Sequence, residues 1–152
     1  MSPKIWGPVV WTLIHSLTYN INTEDRRSIQ ELYYVINNMI SSVPCPTCSK
    51  DGIAIMKTIR VNSINTKSDL VNIMIHVHNR VNSKLSKPQF NPIDNDKTYK
   101  DVNLVSYLNH YIHIMTKRKY NTNLMHGMGM NRCIKEFISY IMKNKHLFNK
   151  IT

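Results

Sequence analysis

The chain has 152 residues, 42% hydrophobic and 19% charged, which suits one domain with a real core and is too apolar for a disordered chain. Twenty basic residues against 9 acidic ones give a net charge of +11, a balance that favours nucleic acid, phosphate groups or an anionic surface. The basic residues are scattered, however, the longest run being Lys117-Arg118-Lys119, so a solvated surface explains them and argues against a nucleic-acid partner. No run approaches the roughly 18 apolar residues of a membrane span, and the start of the chain lacks the basic, apolar and cleavage regions of a signal peptide.

Trp6, Val10, Leu13, Leu17 and Ile21 recur at steps of three and four, which predicts an amphipathic first helix. Asn22 and Thr23 are candidate caps for a second, with Glu24 and Asp25 in its first turn, Ile29, Leu32, Ile36, Ile40 and Val43 along its buried stripe, and Pro44 at its end. A third is expected to start at Cys45, with Pro46 in the first helical position and Ile53, Met56 and Ile59 turned inward. After the polar connection "VNSINTK", Thr66 and Asp69 have the spacing of a capping box, and Leu70, Ile73, Val77, Val81 and Leu85 mark a fourth helix. Residues 86–100, "SKPQFNPIDNDKTYK", read as an irregular stretch with room for a short helix. Two further helices follow, one on Leu104, Leu108, Ile112 and Met115, the other on Ile134, Ile138, Ile141 and Phe148, separated by the loop "KYNTNLMHGMGMN". No strand pattern competes, and the short links predict an all-α, antiparallel four-helix bundle with a helical extension.

Two of the three cysteines form the Cys-x-x-Cys of "SSVPCPTCSKDG". Three cysteines make no disulfide framework, so the pair points to catalysis or metal binding rather than to a staple. At a helix start one sulfur sits at the N-cap and the other in the first turn, where free backbone N–H groups stabilise a thiolate and suit the pair to disulfide exchange. A zinc site needs two more ligands. Cys133 with His110 and His113, or with His76 and His78, could supply them, though at no familiar spacing. A thioredoxin-like exchanger requires parallel strands that this chain does not predict. Trp11 and His15 lie four apart on the first helix, and His78 and Asn82 four apart on the fourth. Each pair alone suits a core; together they offer rings and fixed polar groups on two helices of a bundle, where such folds build cofactor sites.

"WGPVVWTLIH" (6–15), "PCPTC" (44–48) and "HNRVNSKLSKPQF" (78–90), in this order, resemble the Erv/ALR family of FAD-linked sulfhydryl oxidases over roughly residues 4–99. The resemblance implies a four-helix bundle with a short fifth helix over 1–99, FAD at the bundle mouth, a homodimer, and a C-terminal extension at 100–152 outside the family match. It implies that Cys48 faces the flavin and Cys45 meets substrate. It further implies that Gly7, Trp11, His15, His78, Asn79, Val81, Asn82, Lys84, Leu85, Lys87, Phe90 and Tyr99 bind the cofactor, with no metal. The activity expected is dithiol oxidation by molecular oxygen, giving hydrogen peroxide. Short members of this kind are similar to those of large cytoplasmic DNA viruses, which implies a viral protein of the host cytoplasm, viral factory or virion.

The chain also departs from the family pattern. Pro8 stands where many members carry Arg, which leaves a phosphate contact missing or supplied by Lys4; Val43 replaces an aromatic residue before the cysteine motif; and Tyr99 stands for an adenine-capping Trp. The usual second cysteine pair is absent, so a separate thioredoxin-like dithiol protein is the expected electron donor. The rival readings are a zinc-stabilised nucleic-acid-binding module and a flavin-free pseudo-oxidase acting in assembly.

Overall fold

The structure, a computed structural model, describes residues 2–117 and 124–151. Among the described residues it holds seven α-helices and no strand beyond an isolated bridge between Ile21 and Phe148. Helix α1 (Pro3–Asn20) starts at Ser2, whose side chain accepts from the Lys4 N–H, with proline in its first turn. Its predicted stripe of Trp6, Val10, Leu13, Leu17 and Ile21 is buried.

Helix α2 (Arg26–Ser41) is capped later than Asn22 and Thr23 predict, at Asp25. The Asp25 carboxylate accepts from the Ser28 N–H at 2.9 Å and hydroxyl at 2.8 Å, a charge-assisted cap that outcompetes the neutral one. Thr23 instead accepts from the Asp25 N–H. Helix α3 (Pro46–Met56) begins as expected at Cys45. It turns Ile55 and Met56 inward, while Ile53 is exposed and Ile59 half-buried. Gly52 makes this possible, because a Cβ there would lie 2.5 Å from Ile40 Cγ2, and its absence lets α3 close directly onto α2.

Helix α4 (Lys67–Lys84) carries the reciprocal Thr66–Asp69 capping box. Leu70 and Val77 are buried as predicted, joined by Met74 and Ile75; Ile73 and Val81 are half-buried and Leu85 is exposed. At its end the Ser86 N–H donates to the Ser83 carbonyl and the Lys87 N–H to the Asn82 carbonyl, a Schellman closure with Ser86 at φ 54°. A 3₁₀ turn (Pro92–Asp94) and the five-residue α5 (Asn95–Tyr99) follow.

Helices α6 (Leu104–Lys117) and α7 (Leu124–Asn144) pack on α1 and α2 respectively and on each other. The expected loop over 119–131 is helical from Leu124 onward. Gly127 and Gly129 read as breakers, yet each costs only about 1 kcal/mol within a helix. Burial of Met130, Ile134, Phe137, Tyr140 and Ile141 along one face outweighs that cost. Arg118 and Lys119 lie outside the described residues. The chain end returns to the bundle, where the Asn22 N–H donates to the Leu147 carbonyl at 2.6 Å and Phe148 is buried.

Candidate active site

Cys45 and Cys48 form a disulfide with Cα atoms 5.2 Å apart. Cys45 is the N-cap of α3, and its sulfur accepts from the Cys48 N–H at 3.2 Å. Sulfur thus takes the place usually held by a Ser or Asp oxygen, among the free N–H groups of the first turn. Both cysteines are half-buried, but they face differently. Cys48 lines a cavity of about 360 Å³ in the bundle, and Cys45 is not among its lining residues.

Three helix faces wall that cavity. From α1 come Gly7, Pro8 and Trp11 with Pro3, Trp6 and Thr12; from α3, Asp51 and Gly52, one turn beyond Cys48. From α4 and the turn after it come His78, Val81, Asn82, Lys84, Leu85 and Lys87, while α5 closes the back with Tyr99. Trp11 and His78 stack nearly parallel, with centroids 4.1 Å apart and planes 4° from each other. A Cβ on Gly7 would meet no atom within 4 Å, so the backbone there is open to close approach.

Among the residues proposed from sequence, His15, Asn79 and Phe90 do not line the cavity but stand behind it. His15 is 1% exposed, and its Nε2 is 2.9 Å from His78 Nδ1, so one imidazole donates to the other. Tyr99 and Phe90 stack on it at 5.1 and 6.0 Å. The Asn79 side chain grips the backbone of Phe90 from both sides, donating to its carbonyl at 2.9 Å and accepting from its N–H at 2.8 Å. That pair fixes the loop after α4, and with it the cavity rim.

Burial dominates the electrostatics. It lowers His15 to about 3, helped by His78, and His78 to about 4, helped by the Lys87 charge, so both rings are neutral at pH 7. It also pushes Tyr99 up to about 12. At the mouth, Lys84 bonds Asp51 at 2.7 Å, a pair about half exposed and so worth at most about 1 kcal/mol and readily exchanged for another anion. Lys87 has no ion-pair partner among the described residues. Lys4 is exposed and is not among the lining residues.

These features fit a flat, anionic cofactor such as FAD. Paired rings and an open glycine suit a ring system, two lysines at the rim suit a diphosphate, and the buried Trp6 Nε1 lacks an acceptor among the described residues. Among the described residues no three His, Cys, Asp or Glu side chains come together as a metal site, and His76, His110 and His113 are exposed. Asp51 and Gly52 join the wall without having been expected there, although their spacing of three and four from Cys48 marks the same helix face.

The Erv1 / Alr family model matches residues 8–101. The chain is 26% identical over 92 residues to protein 088R of frog virus 3 (isolate Goorha), named as a putative FAD-linked sulfhydryl oxidase, covering 57% of this chain and 60% of that one. It is 34% identical over 99 residues to the mitochondrial FAD-linked sulfhydryl oxidase ERV1 of Saccharomyces cerevisiae, covering 62% and 50%. With protein 096R of invertebrate iridescent virus 3, which carries the same kind of name, it shares 24% over 94 residues, covering 59% and 62%. The chain thus spans about half to three fifths of these relatives. No solved structure matches it.

Proposed function

Because the chain belongs to the Erv1/Alr family, we propose that it is a FAD-linked thiol oxidase, forming disulfides in a separate dithiol protein and passing the electrons to oxygen. The observation that carries this reading is the division of the disulfide, with Cys48 on the wall of the ring-lined cavity and Cys45 off it.

A substrate thiolate attacks Cys45 Sγ, the S–S bond breaks, and Cys48 leaves as a thiolate. The first turn of α3 favours that charge, since Cys48 sits among its free N–H groups at the positive end of the helix dipole. The second substrate thiol then attacks the mixed disulfide, releasing oxidised substrate and leaving Cys45 and Cys48 as the reduced pair with the two electrons. Gly7, Trp11, His78, Val81, Asn82, Leu85 and Tyr99 would hold FAD, with Lys84 and Lys87 at its diphosphate and His15, Asn79 and Phe90 bracing the wall. The chemistry that bound FAD supplies is acceptance of two electrons from the reduced pair and their delivery to oxygen, giving hydrogen peroxide. Neutral His15 and His78 keep the ring face of the wall uncharged, so its rings remain available for stacking.

The partner is a thioredoxin-like dithiol protein, since Cys133 on α7 has no second cysteine beside it for a shuttle disulfide. The oxidase unit is 1–99, the extension 100–152, and two chains pair. Relatives in two viruses support a viral protein of the host cytoplasm, factory or virion. Among the described residues no helix is long and apolar enough to cross a membrane. A visible spectrum tests the core of the reading: a flavin band should bleach with dithiothreitol under nitrogen and return in air. A colourless protein that also fails to bind added FAD overturns it.

A further inference from the structure

Helix α7 runs antiparallel to α2, with Tyr140 and Glu136 beside Glu31 and Val35, and Cys133 beside Asn38 and Met39. Its first turns therefore reach the segment that leads into the cysteine motif. There His126 Nε2 lies 2.9 Å from the carbonyl oxygen of Val43, two residues before Cys45. The same oxygen accepts from the Cys45 N–H at 2.7 Å and from the Ser49 hydroxyl at 3.2 Å. A carbonyl has two lone pairs, and three donors converging on one leave it little freedom to turn. Cys45, Ser49 and the first turn of α3 are thereby referenced to one fixed atom, and the donor from outside the bundle belongs to the extension.

We propose that His126 is a positioning residue for the Cys45–Cys48 disulfide: its bond to the Val43 carbonyl holds the turn in the closed form, so the extension sets how readily the disulfide opens. The inference rests on Cys45–Cys48 being the redox pair. The bond is present with the disulfide closed, and opening removes the covalent link between Cys45 and Cys48 that restrains the Cys45 backbone, whose own N–H shares the carbonyl that His126 grips. Removing the donor weakens the closed form more than the open one.

The test is the equilibrium of full-length protein with reduced and oxidised glutathione under nitrogen, read by alkylation of Cys45 and Cys48 in the wild type, His126→Ala and His126→Gln. A hydrogen bond of about 1 kcal/mol held mainly in the closed form should shift the equilibrium about fivefold toward the dithiol in His126→Ala. His126→Gln, which keeps an N–H donor of similar reach, should restore it. An unchanged equilibrium with a lowered melting temperature would make the contact merely structural and overturn the proposal, as would a glutamine variant indistinguishable from alanine. If His126→Ala does not fold, His126→Leu takes its place, keeping the bulk without the donor. The readout does not depend on turnover, so a shifted equilibrium in a protein that never consumes oxygen would sink the oxidase reading while leaving the positioning role.

Discussion

The cavity face of α1 and α4 and the buried face of α6 and α7 are both built on aromatic rings, but they use them differently. Trp11 and His78 lie parallel, 4.1 Å apart, on the wall of an open cavity. Tyr111 and Phe137 meet edge to face at 5.0 Å and 75°, and both are closed off from solvent. Edge-to-face packing fills volume in a core, whereas a parallel pair at a cavity leaves room for a further flat ring to join it. Ring count does not separate a binding wall from a core; ring geometry together with openness does.

The sharpest way to break that contrast is through the cysteines, one on each side of it. Cys48→Ser should reduce thiol-dependent oxygen uptake to the level of a protein-free blank, while Cys133→Ser, in the extension, should leave turnover unchanged in an oxygen electrode. Loss of turnover in a folded Cys133→Ser protein would mean that the extension carries electrons. The rings give the next largest effect. Phe137→Ala should cost about 3–5 kcal/mol in urea unfolding, as for other buried aromatic truncations, with flavin affinity of the folded protein preserved. Trp11→Ala, at a half-buried position, should do the reverse, losing flavin before stability.

Acid should act on the cavity side. In the unfolded chain both histidines take up protons near 6.5, whereas in the folded protein His15 and His78 do so only at about 3 and about 4. Between those values the unfolded state binds more protons, so stability is fully present above about 6.5 and falls as the pH drops toward 4. Melting temperature against pH checks this. A flat profile over that window would mean that the rings are already charged in the fold.

Much of this architecture is legible because local signals and burial agree. Thr66 and Asp69 cap α4 as their spacing predicts, and Cys45 with Pro46 opens α3. Where two signals compete, periodicity alone fails. On α3 the stripe through Ile53 loses to one through Ile55 because Gly52 brings the helix down on α2 along a face that apolar spacing does not mark. Asn79 carries the residue type of a ligand contact, yet it clamps Phe90 eleven positions on, a pairing that no helical period encodes. His126 is hidden for a third reason, since it lies in a glycine-interrupted stretch whose helicity comes from tertiary burial.

Gly52→Ala measures how close that approach must be. Its new methyl meets Ile40 at 2.5 Å, so α3 must lift or Ile40 must change rotamer, at a cost of about 1–3 kcal/mol. Because Cys48 and Asp51 ride on the same helix, weakened flavin binding should accompany the loss of stability. Full stability with weakened binding would instead place the effect in the cavity alone.

The smallest effect expected is a gain, on the opposite rim. Ser86 holds φ at 54° in the Schellman closure of α4, where glycine is the usual residue because a side chain costs about 1 kcal/mol in the left-handed region. Ser86→Gly removes that strain and also gives the unfolded chain more freedom, and the two oppose each other. The net expectation is a stabilisation of at most a few tenths of a kcal/mol, read as a raised urea midpoint at unchanged slope. Ser83 and Asn82 still close the turn through their carbonyls, so Leu85 and Lys87 keep their places at the cavity and flavin affinity should not move. A loss of affinity alongside the gain in stability would show that the strained serine, rather than the closure around it, positions Lys87 at the rim.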